Sequence, residues 1–247
     1  MVEIVVLVKQ VPDTNAKIEV ENGLVDLSMV KWVTSPYDEY AIEAALRHKE
    51  AQGGKVTALT LGPDRSEKAL KDAKALGVDD IARIDVPEGY IDSASVHFQL
   101  AAAITSLGGE VVYCGKSAAD TGAGSTGPAI AERLGWPSVT HVHEVSFEDG
   151  AVEVIQPGSA GQARIAVSLP ALITCDKGGF EPRRANVRGI MMAKKAQVNL
   201  LTPATGAGTT SIVAHSTPPV KPPGKTYEGA EHVAEVVKLL RDEANVI

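Results

Sequence analysis

One stretch limits what this chain can fold into more than any other: Tyr113-Cys-Gly-Lys-Ser-Ala-Ala-Asp-Thr-Gly-Ala-Gly-Ser-Thr-Gly-Pro128. The apolar run Glu110-Val-Val-Tyr-Cys114 leads into it, and the helical pattern Ala129-Ile-Ala-Glu-Arg-Leu-Gly135 leads out. A buried strand therefore feeds a loop rich in glycine, serine and threonine, and the loop opens a helix. Gly115, Gly122, Gly124 and Gly127 let the backbone take positive φ and come close to a ligand. Ser117, Thr121, Ser125 and Thr126 add hydroxyl donors for phosphate oxygens. The helix N-terminus adds free N–H groups and a partial positive charge. These ingredients make an anion cradle, best suited to a nucleotide phosphate. The loop fits neither GxxxxGK[ST] nor GxGxxG, and the same small residues would also serve tight strand–helix packing.

The chain before this stretch alternates strands with helices. Residues 4–8 read as a first strand buried on both faces. Residues 9–14 follow as a loop in which Pro12 ends regular pairing. Residues 17–20 and 24–27 flank the turn Glu21-Asn-Gly23 as a hairpin. A loop over 33–38 leads into a helix at 38–51, with Ser35 or Asp38 as its cap and Gly53-Gly54 as its end. A strand at 55–61, a helix at 66–76, a strand at 81–86 and a helix at 92–107 complete the series. This alternation predicts right-handed βαβ units and a parallel, Rossmann-like sheet with flanking helices. Ligands of such sheets bind outside the carboxyl ends of the strands. The loops at 9–10, 61–63 and 115–126 lie there, so the topology favours the nucleotide over mere packing.

After Pro137 the pattern changes. Residues 140–147 alternate with period two, 148–150 form a turn, and 151–155 return. With strands at 163–169 and 171–175 this predicts an added antiparallel hairpin region joined to the same sheet. His141 and His143 fall on one face of the first strand, which reads as an exposed face, since a closed zinc site takes four ligands and no third is in view. Residues 176–195 mix Arg183, Arg184, Arg188, Lys194 and Lys195 with Val187, Ile190, Met191 and Met192. In an acidic chain, that mixture is a candidate docking surface, with adaptable methionines and steering cations. Residues 200–225 hold Pro203, Pro218, Pro219, Pro222 and Pro223 and should run extended. A helix over 228–242 follows, with Val233, Val236, Val237 and Leu240 on its inner side. The expected organisation is a nucleotide-binding α/β domain over 1–198, holding the docking segment near 181–195, and an arm over 199–247.

A net charge of −7 argues against general affinity for nucleic acid or anionic membrane. Cys114 and Cys175 are the only cysteines, so no disulfide framework exists and a reducing compartment is expected. No apolar run approaches the ~20 residues of a membrane-spanning helix. With no signal peptide visible before the first strand, the expectation is a cytoplasmic protein of a bacterial or archaeal cell.

Four motifs carry a resemblance over most of the chain: Val8-Lys-Gln-Val-Pro-Asp13, Ser35-Pro-Tyr-Asp38, Leu61-Gly-Pro63 and the loop 114–128. A fifth, Glu181-Pro-Arg-Arg-Ala-Asn-Val-Arg-Gly-Ile-Met-Met-Ala-Lys-Lys195, is the most specific. Together they resemble the β (small) subunit of electron-transfer flavoproteins. The resemblance implies a heterodimer with a larger α subunit, which holds most of a single FAD, and an AMP buried in this subunit. It places the AMP against Leu7, Ser35, Pro36, Tyr37, Asp38, Leu61, Gly115, Lys116, Ser117, Ala118, Asp120, Thr121, Gly122, Ala123, Gly124, Ser125 and Thr126. It makes Arg183, Arg184, Val187, Arg188, Ile190 and Met191 partner-recognition residues, with Val187 at a tip where many relatives carry Leu. The family's loop often reads Ala-Ile-Asp-Gly-Asp-Thr, where Ala118-Ala-Asp-Thr-Gly-Ala123 carries less charge. The implied role is an electron carrier without a catalytic constellation. It would take electrons from acyl-CoA-type dehydrogenases, as in fatty acid oxidation, and pass them to a quinone oxidoreductase. The arm would pack on the α subunit. Electron-bifurcating members hold a second FAD in place of AMP. A rival from another class, an ATP-pyrophosphatase or adenylyl-transfer enzyme, would want Ser-Gly-Gly-x-Asp-Ser after the first strand, where Lys9-Gln-Val-Pro-Asp-Thr14 stands instead.

Overall fold

The computed structural model describes residues 2–148, 151–204, 206, 208–221 and 223–247. The chain divides into two units, Met1–His215 and Ser216–Ile247. The first opens with β1 (Glu3–Leu7), β2 (Gln10–Pro12), the pair β3 (Glu19–Glu21) and β4 (Leu24–Asp26), and β5 (Trp32–Thr34). Then α1 (Pro36–Gln52), β6 (Lys55–Gly62), α2 (Glu67–Leu76), β7 (Asp80–Asp85), α3 (Ser93–Ser106), β8 (Val111–Gly115) and α4 (Thr126–Leu134) alternate. β9 (Ser138–Val142), β10 (Glu144–Glu148), β11 (Ala151–Gly158), β12 (Gly161–Ser168) and β13 (Ala171–Cys175) follow, then α5 (Val187–Lys195) and β14 (Asn199–Leu201). The second unit holds α6 (Val233–Asp242), preceded by a 3₁₀ turn at Ala230–His232.

Seven strands form one sheet in the order β14-β7-β6-β1-β8-β13-β9, with every pairing parallel. β1 shows why it is central. Ile4 and Val6 point into a core with Ala41, Ile42 and Leu70, while Val5 and Leu7 point into a second core with Leu100, Ile104 and Ile130. A strand apolar at every position from Ile4 to Leu7 satisfies both faces, each fully buried side chain contributing about 1.5–3 kcal/mol. From β1 the chain winds outward through β6 and β7, then returns to set β8 on the other side of β1. The strand order thus reverses between β1 and β8, which leaves a crevice at their carboxyl ends.

The structure corrects several expectations beyond Pro137. Residues 140–147 are two strands in different sheets. β9 pairs parallel with β13, and β10 pairs antiparallel with β11. The break falls where His141 takes φ 55° and the ladder shifts register. A period-two pattern runs unbroken through such a bend, because both strands are half-buried. Residues 171–175 are likewise a parallel core strand rather than part of the antiparallel region, which is a separate sheet β10-β11-β12. The turn expected at 148–150 includes Asp149 and Gly150, which lie outside the described residues. Residues 10–12 and 32–34, read as loops, pair antiparallel; Pro12 stands at the end of that short ladder. α1 begins earlier than expected, with Pro36 at its first position; Ser35 precedes it without capping through its side chain. Residues 199–201, read as the start of the arm, add an edge strand on β7. Pro222 of the arm lies outside the described residues.

Candidate functional site

The crevice is drawn together by Asp38. Its buried carboxylate accepts the Lys9 N–H through Oδ2 at 2.8 Å and the Gly115 N–H through Oδ1 at 3.1 Å. One side chain from the first turn of α1 thus ties the ends of β1 and β8. Burial pushes the Asp38 carboxyl up to about 7, against the two N–H donors, which favour its charge. Ser35 adds a second tie. Its N–H donates to the Lys9 carbonyl at 2.9 Å, and its hydroxyl accepts the Ala119 N–H at 3.4 Å.

The four loop glycines divide by role. A Cβ on Gly115 would stand 2.5 Å from Asp38 Oδ1 and 2.8 Å from Tyr37 Cβ. One on Gly127 would stand 2.6 Å from Thr174 Cγ2. These two allow α1 and α4 to pack closely on the sheet. Gly122 and Gly124 instead take φ of 62° and 65°, in a stretch, 121–126, that is exposed throughout. Ser125 precedes α4 without a side-chain cap, so the first amides of that helix point into the loop. The charged residues are already matched: Lys9 Nζ lies 2.7 Å from Asp120, and Lys116 Nζ lies 2.9 Å from Asp176 and 4.7 Å from the centre of the Tyr37 ring. The Thr121 N–H donates to Asp120 at 2.9 Å and the Gly122 N–H to the Ala118 carbonyl at 2.8 Å, so what remains for an anion is the amides of 123–126 and the hydroxyls of Thr121, Ser125 and Thr126. Leu7 and Leu61 lie at the ends of β1 and β6, both packed into the second core.

Sequence reasoning missed Lys9 and Asp176 as members of this cluster. His141 Nδ1 and His143 Nε2 also approach Asp176, at 3.8 and 3.7 Å, from either side of the β9–β10 break. Among the described residues no three His, Cys, Asp or Glu side chains gather as a metal site. Burial holds the Cys114 and Cys175 thiols well above the usual range, far from reactive thiolate.

The expected docking residues separate into two groups. Asn186 caps α5 by accepting the Gly189 N–H at 2.8 Å, and Gly189 meets the Ala75 carbonyl of α2 so closely that a Cβ has no room. On the outer side Val187 is 75% exposed, and Ile190, Met191 and Met192 are exposed beside it. Arg184 and Arg188 are exposed there and enter no ion pair among the described residues. Arg183 instead turns inward to Glu43 and Glu50 of α1, at 2.7 and 2.6 Å. Those two glutamates were not legible as partners. Their spacing marks one face of α1, but nothing local joins them to a residue far along the chain.

A parallel α/β sheet with a small-residue loop at its reversal point, between β1 and β8, defines a Rossmann-like fold. The chain belongs to the electron transfer flavoprotein family, on its β-subunit branch: the family's model, described as Electron transfer flavoprotein domain, matches residues 24–205. It is 33% identical to an electron transfer flavoprotein subunit beta of Bacillus subtilis, over 98% of each chain. It is 30% identical to the subunit of the same name in Dictyostelium discoideum, over 96% of this chain and 97% of that one. It is also 34% identical to a protein of Anaerotignum propionicum named acryloyl-CoA reductase electron transfer subunit gamma, over 96% and 97%. Relatives occur both in bacteria and in Dictyostelium. No helix among the described residues is long and apolar enough to cross a membrane.

Proposed function

We propose that this chain is a carrier subunit that holds AMP as a structural ligand in the β1–β8 crevice. It pairs with a larger subunit that holds most of one FAD, and it docks dehydrogenases through α5. The reading rests above all on the crevice. Asp38 fixes both of its rims, while the exposed stretch 121–126 supplies uncharged donors. Those residues fit an adenylate. The phosphate would meet the amides of 123–126 and the hydroxyls of Thr121, Ser125 and Thr126, and Gly122 has open space where a Cβ would stand. Lys9 offsets the charge of Asp120, so the loop presents little to oppose a phosphate. AMP would bring binding energy and order to the loop but no redox chemistry. The FAD would supply the redox chemistry, and this chain would present a docking surface to the donor through α5.

Acyl-CoA-type dehydrogenases are the proposed donors, a choice supported by the relative named for acryloyl-CoA reductase. A quinone oxidoreductase is the proposed acceptor, and the cytoplasm the proposed location. The arm from 199 onward is proposed to pack on the larger subunit. The test is to purify the heterodimer, release its ligands by heat and identify them. AMP and FAD in near-equal amounts are expected. FAD in twofold excess over heterodimer without AMP would overturn the AMP assignment.

A further inference from the structure

The segment between β13 and α5 is fastened to α1 before it reaches the docking turn. Phe180 is buried with its ring 6.2 Å from that of Tyr40, and Arg47 lies over it at 4.8 Å. Three residues on, the Arg183 guanidinium forks between two carboxylates. Nε and Nη2 donate to Glu43 at 2.7 and 3.2 Å, and Nη1 and Nη2 donate to Glu50 at 2.6 and 3.1 Å. The Arg183 backbone N–H also donates to Glu43 at 3.1 Å, so the main chain itself is held. The Glu43 side chain is only 5% exposed and has Arg47 as its other partner, at 2.8 Å. Past the turn, α5 is anchored on α2 at Gly189 and by buried Ala193.

We infer that Arg183 is a positioning residue: gripped by Glu43 and Glu50, it holds the Arg184–Arg188 turn in a docking-ready pose without touching the partner. The inference deepens the docking role proposed above and rests on it. The turn is bracketed by two anchors, one on α1 and one on α2, and its outward Val187 gains a fixed position from them. A rigid anchor avoids the loss of freedom that a loose loop would suffer on docking. Guanidinium suits the task because it engages two carboxylates at once through fixed, parallel donors; a lysine offers one point charge. α1 also carries Ser35 to Asp38 at its start, about 18 Å along its axis from Glu50. One helix therefore registers the crevice and the docking turn to each other.

The test uses the purified heterodimer and an acyl-CoA-type dehydrogenase that reduces the parent protein. The Michaelis constant for the dehydrogenase and the saturating rate are measured at several salt concentrations. If the docking-ready pose falls to about a tenth of the population, the apparent affinity drops about tenfold. Arg183→Ala should therefore raise the constant by about that factor and leave the saturating rate unchanged, and Arg183→Lys should recover part of it. Glu43→Gln with Glu50→Gln should do the same, though neither glutamate is on α5. In all of these the salt dependence should stay parental, whereas Arg184→Ala and Arg188→Ala should flatten it. A flattened slope in Arg183→Ala, with parental behaviour in the glutamate variants, would make Arg183 a partner contact and end the proposal. Glu50→Gln alone, whose carboxylate is exposed, serves where the double variant fails to fold. A raised constant supports the proposal, and a parental one counts against it. Val187→Ala separates the two levels. If it raises the constant while Arg183→Ala does not, only the positioning role fails; if it too is parental, the docking role fails with it.

Discussion

Asp38 was legible as a possible helix cap and, through the family resemblance, as an AMP contact, but its task was not. Its two oxygens accept the N–H of Lys9, just past β1, and of Gly115, at the end of β8, so it fixes the rims of the crevice. Its proton has a consequence for stability. Burial raises the carboxyl from 3.8 to about 7, so between those values the folded chain holds a proton that the unfolded chain has lost. The contribution of Asp38 is therefore largest in acid, declines as pH rises toward about 7 and is level above that. His48 runs the other way. Its Nδ1 is 3.0 Å from the Tyr113 hydroxyl and its ring stacks on Phe147, and burial lowers it from 6.5 to about 4. Its contribution is full above about 6.5 and is lost as pH falls. The excursions are on the order of 3–4 kcal/mol, and over their shared window they largely offset. Single variants should unmask them. Relative to the parent, the urea midpoint of Asp38→Asn should climb as pH rises through that window, and that of His48→Gln should fall. Difference curves without slope would mean that neither group titrates as its burial demands. The glycines make a second contrast at this scale. Gly115→Ala drives a methyl into Tyr37 and Asp38 and should cost about 1–3 kcal/mol. Gly122→Ala meets open space and bears only its positive φ, about 1 kcal/mol. Chemical denaturation of the two variants ranks them, and an equal loss would contradict the division of the loop into packing and ligand-facing halves.

Among the elements, those whose periodicity and ends agree were readable. β1, β6 and β8 are mostly apolar runs bounded by Gly, Pro or charge, and α1 to α4 are closed by glycine or capped by residues such as Asp92. What local pattern cannot carry is partner choice. Parallel β9 and antiparallel β10 share one alternation, and β13 could join either sheet by composition alone. α6 illustrates the same gap. Its apolar stripe was read correctly as a stripe, yet none of its residues is buried, and Val233, Val237 and Leu240 are exposed. The segment holding α5 was read as a docking surface, and its outward turn supports a prediction. Burying a Val side chain in a partner pocket is worth about 1.5–3 kcal/mol, enough for a transient grip. Val187→Ala should therefore lower the rate of dehydrogenase-driven flavin reduction at limiting donor, while the flavin spectrum, AMP content and heterodimer stability stay parental. Arg184 and Arg188 steer by charge, so the parent's rate should fall as salt rises. Stopped-flow reduction across a salt series reads both effects. A parental rate in the variant together with a flat salt profile in the parent would remove α5 from docking.

For the whole molecule the proline-rich composition announced an extended arm, but not where it leaves the core. The first part stays with the sheet unit. β14 pairs with β7, the Thr210 N–H donates to Asp92 at 3.0 Å, and the His215 N–H donates to the Gly23 carbonyl at 2.7 Å. Asp92 does double duty there, because its other oxygen caps α3 through the Ala94 N–H at 2.9 Å. A cap of that kind and a threonine bond far along the chain cannot be foreseen from either end alone. Beyond His215 the described residues of the second unit hold one helix of ten residues and a single 3₁₀ turn. A helix that short is marginal by itself in water, and an amphipathic one gains its stability by covering something. Two truncations therefore part company. Ending the chain after His215 should leave the melting temperature of the isolated subunit near the parental value, because the sheet, the Asp92 tie and the Gly23 contact all remain. It should weaken assembly with the larger subunit, as sedimentation of a titrated mixture would show. Ending it after Val198 removes β14 and the Thr210 donors as well, leaves β7 as an open edge and strips Asp92 of its second set of partners. That version should melt lower and exchange the amides of β7 and the start of α3 faster. If the chain ending at His215 assembles with undiminished affinity, the second unit is a tail, and the surface that holds the heterodimer together lies entirely on the sheet unit.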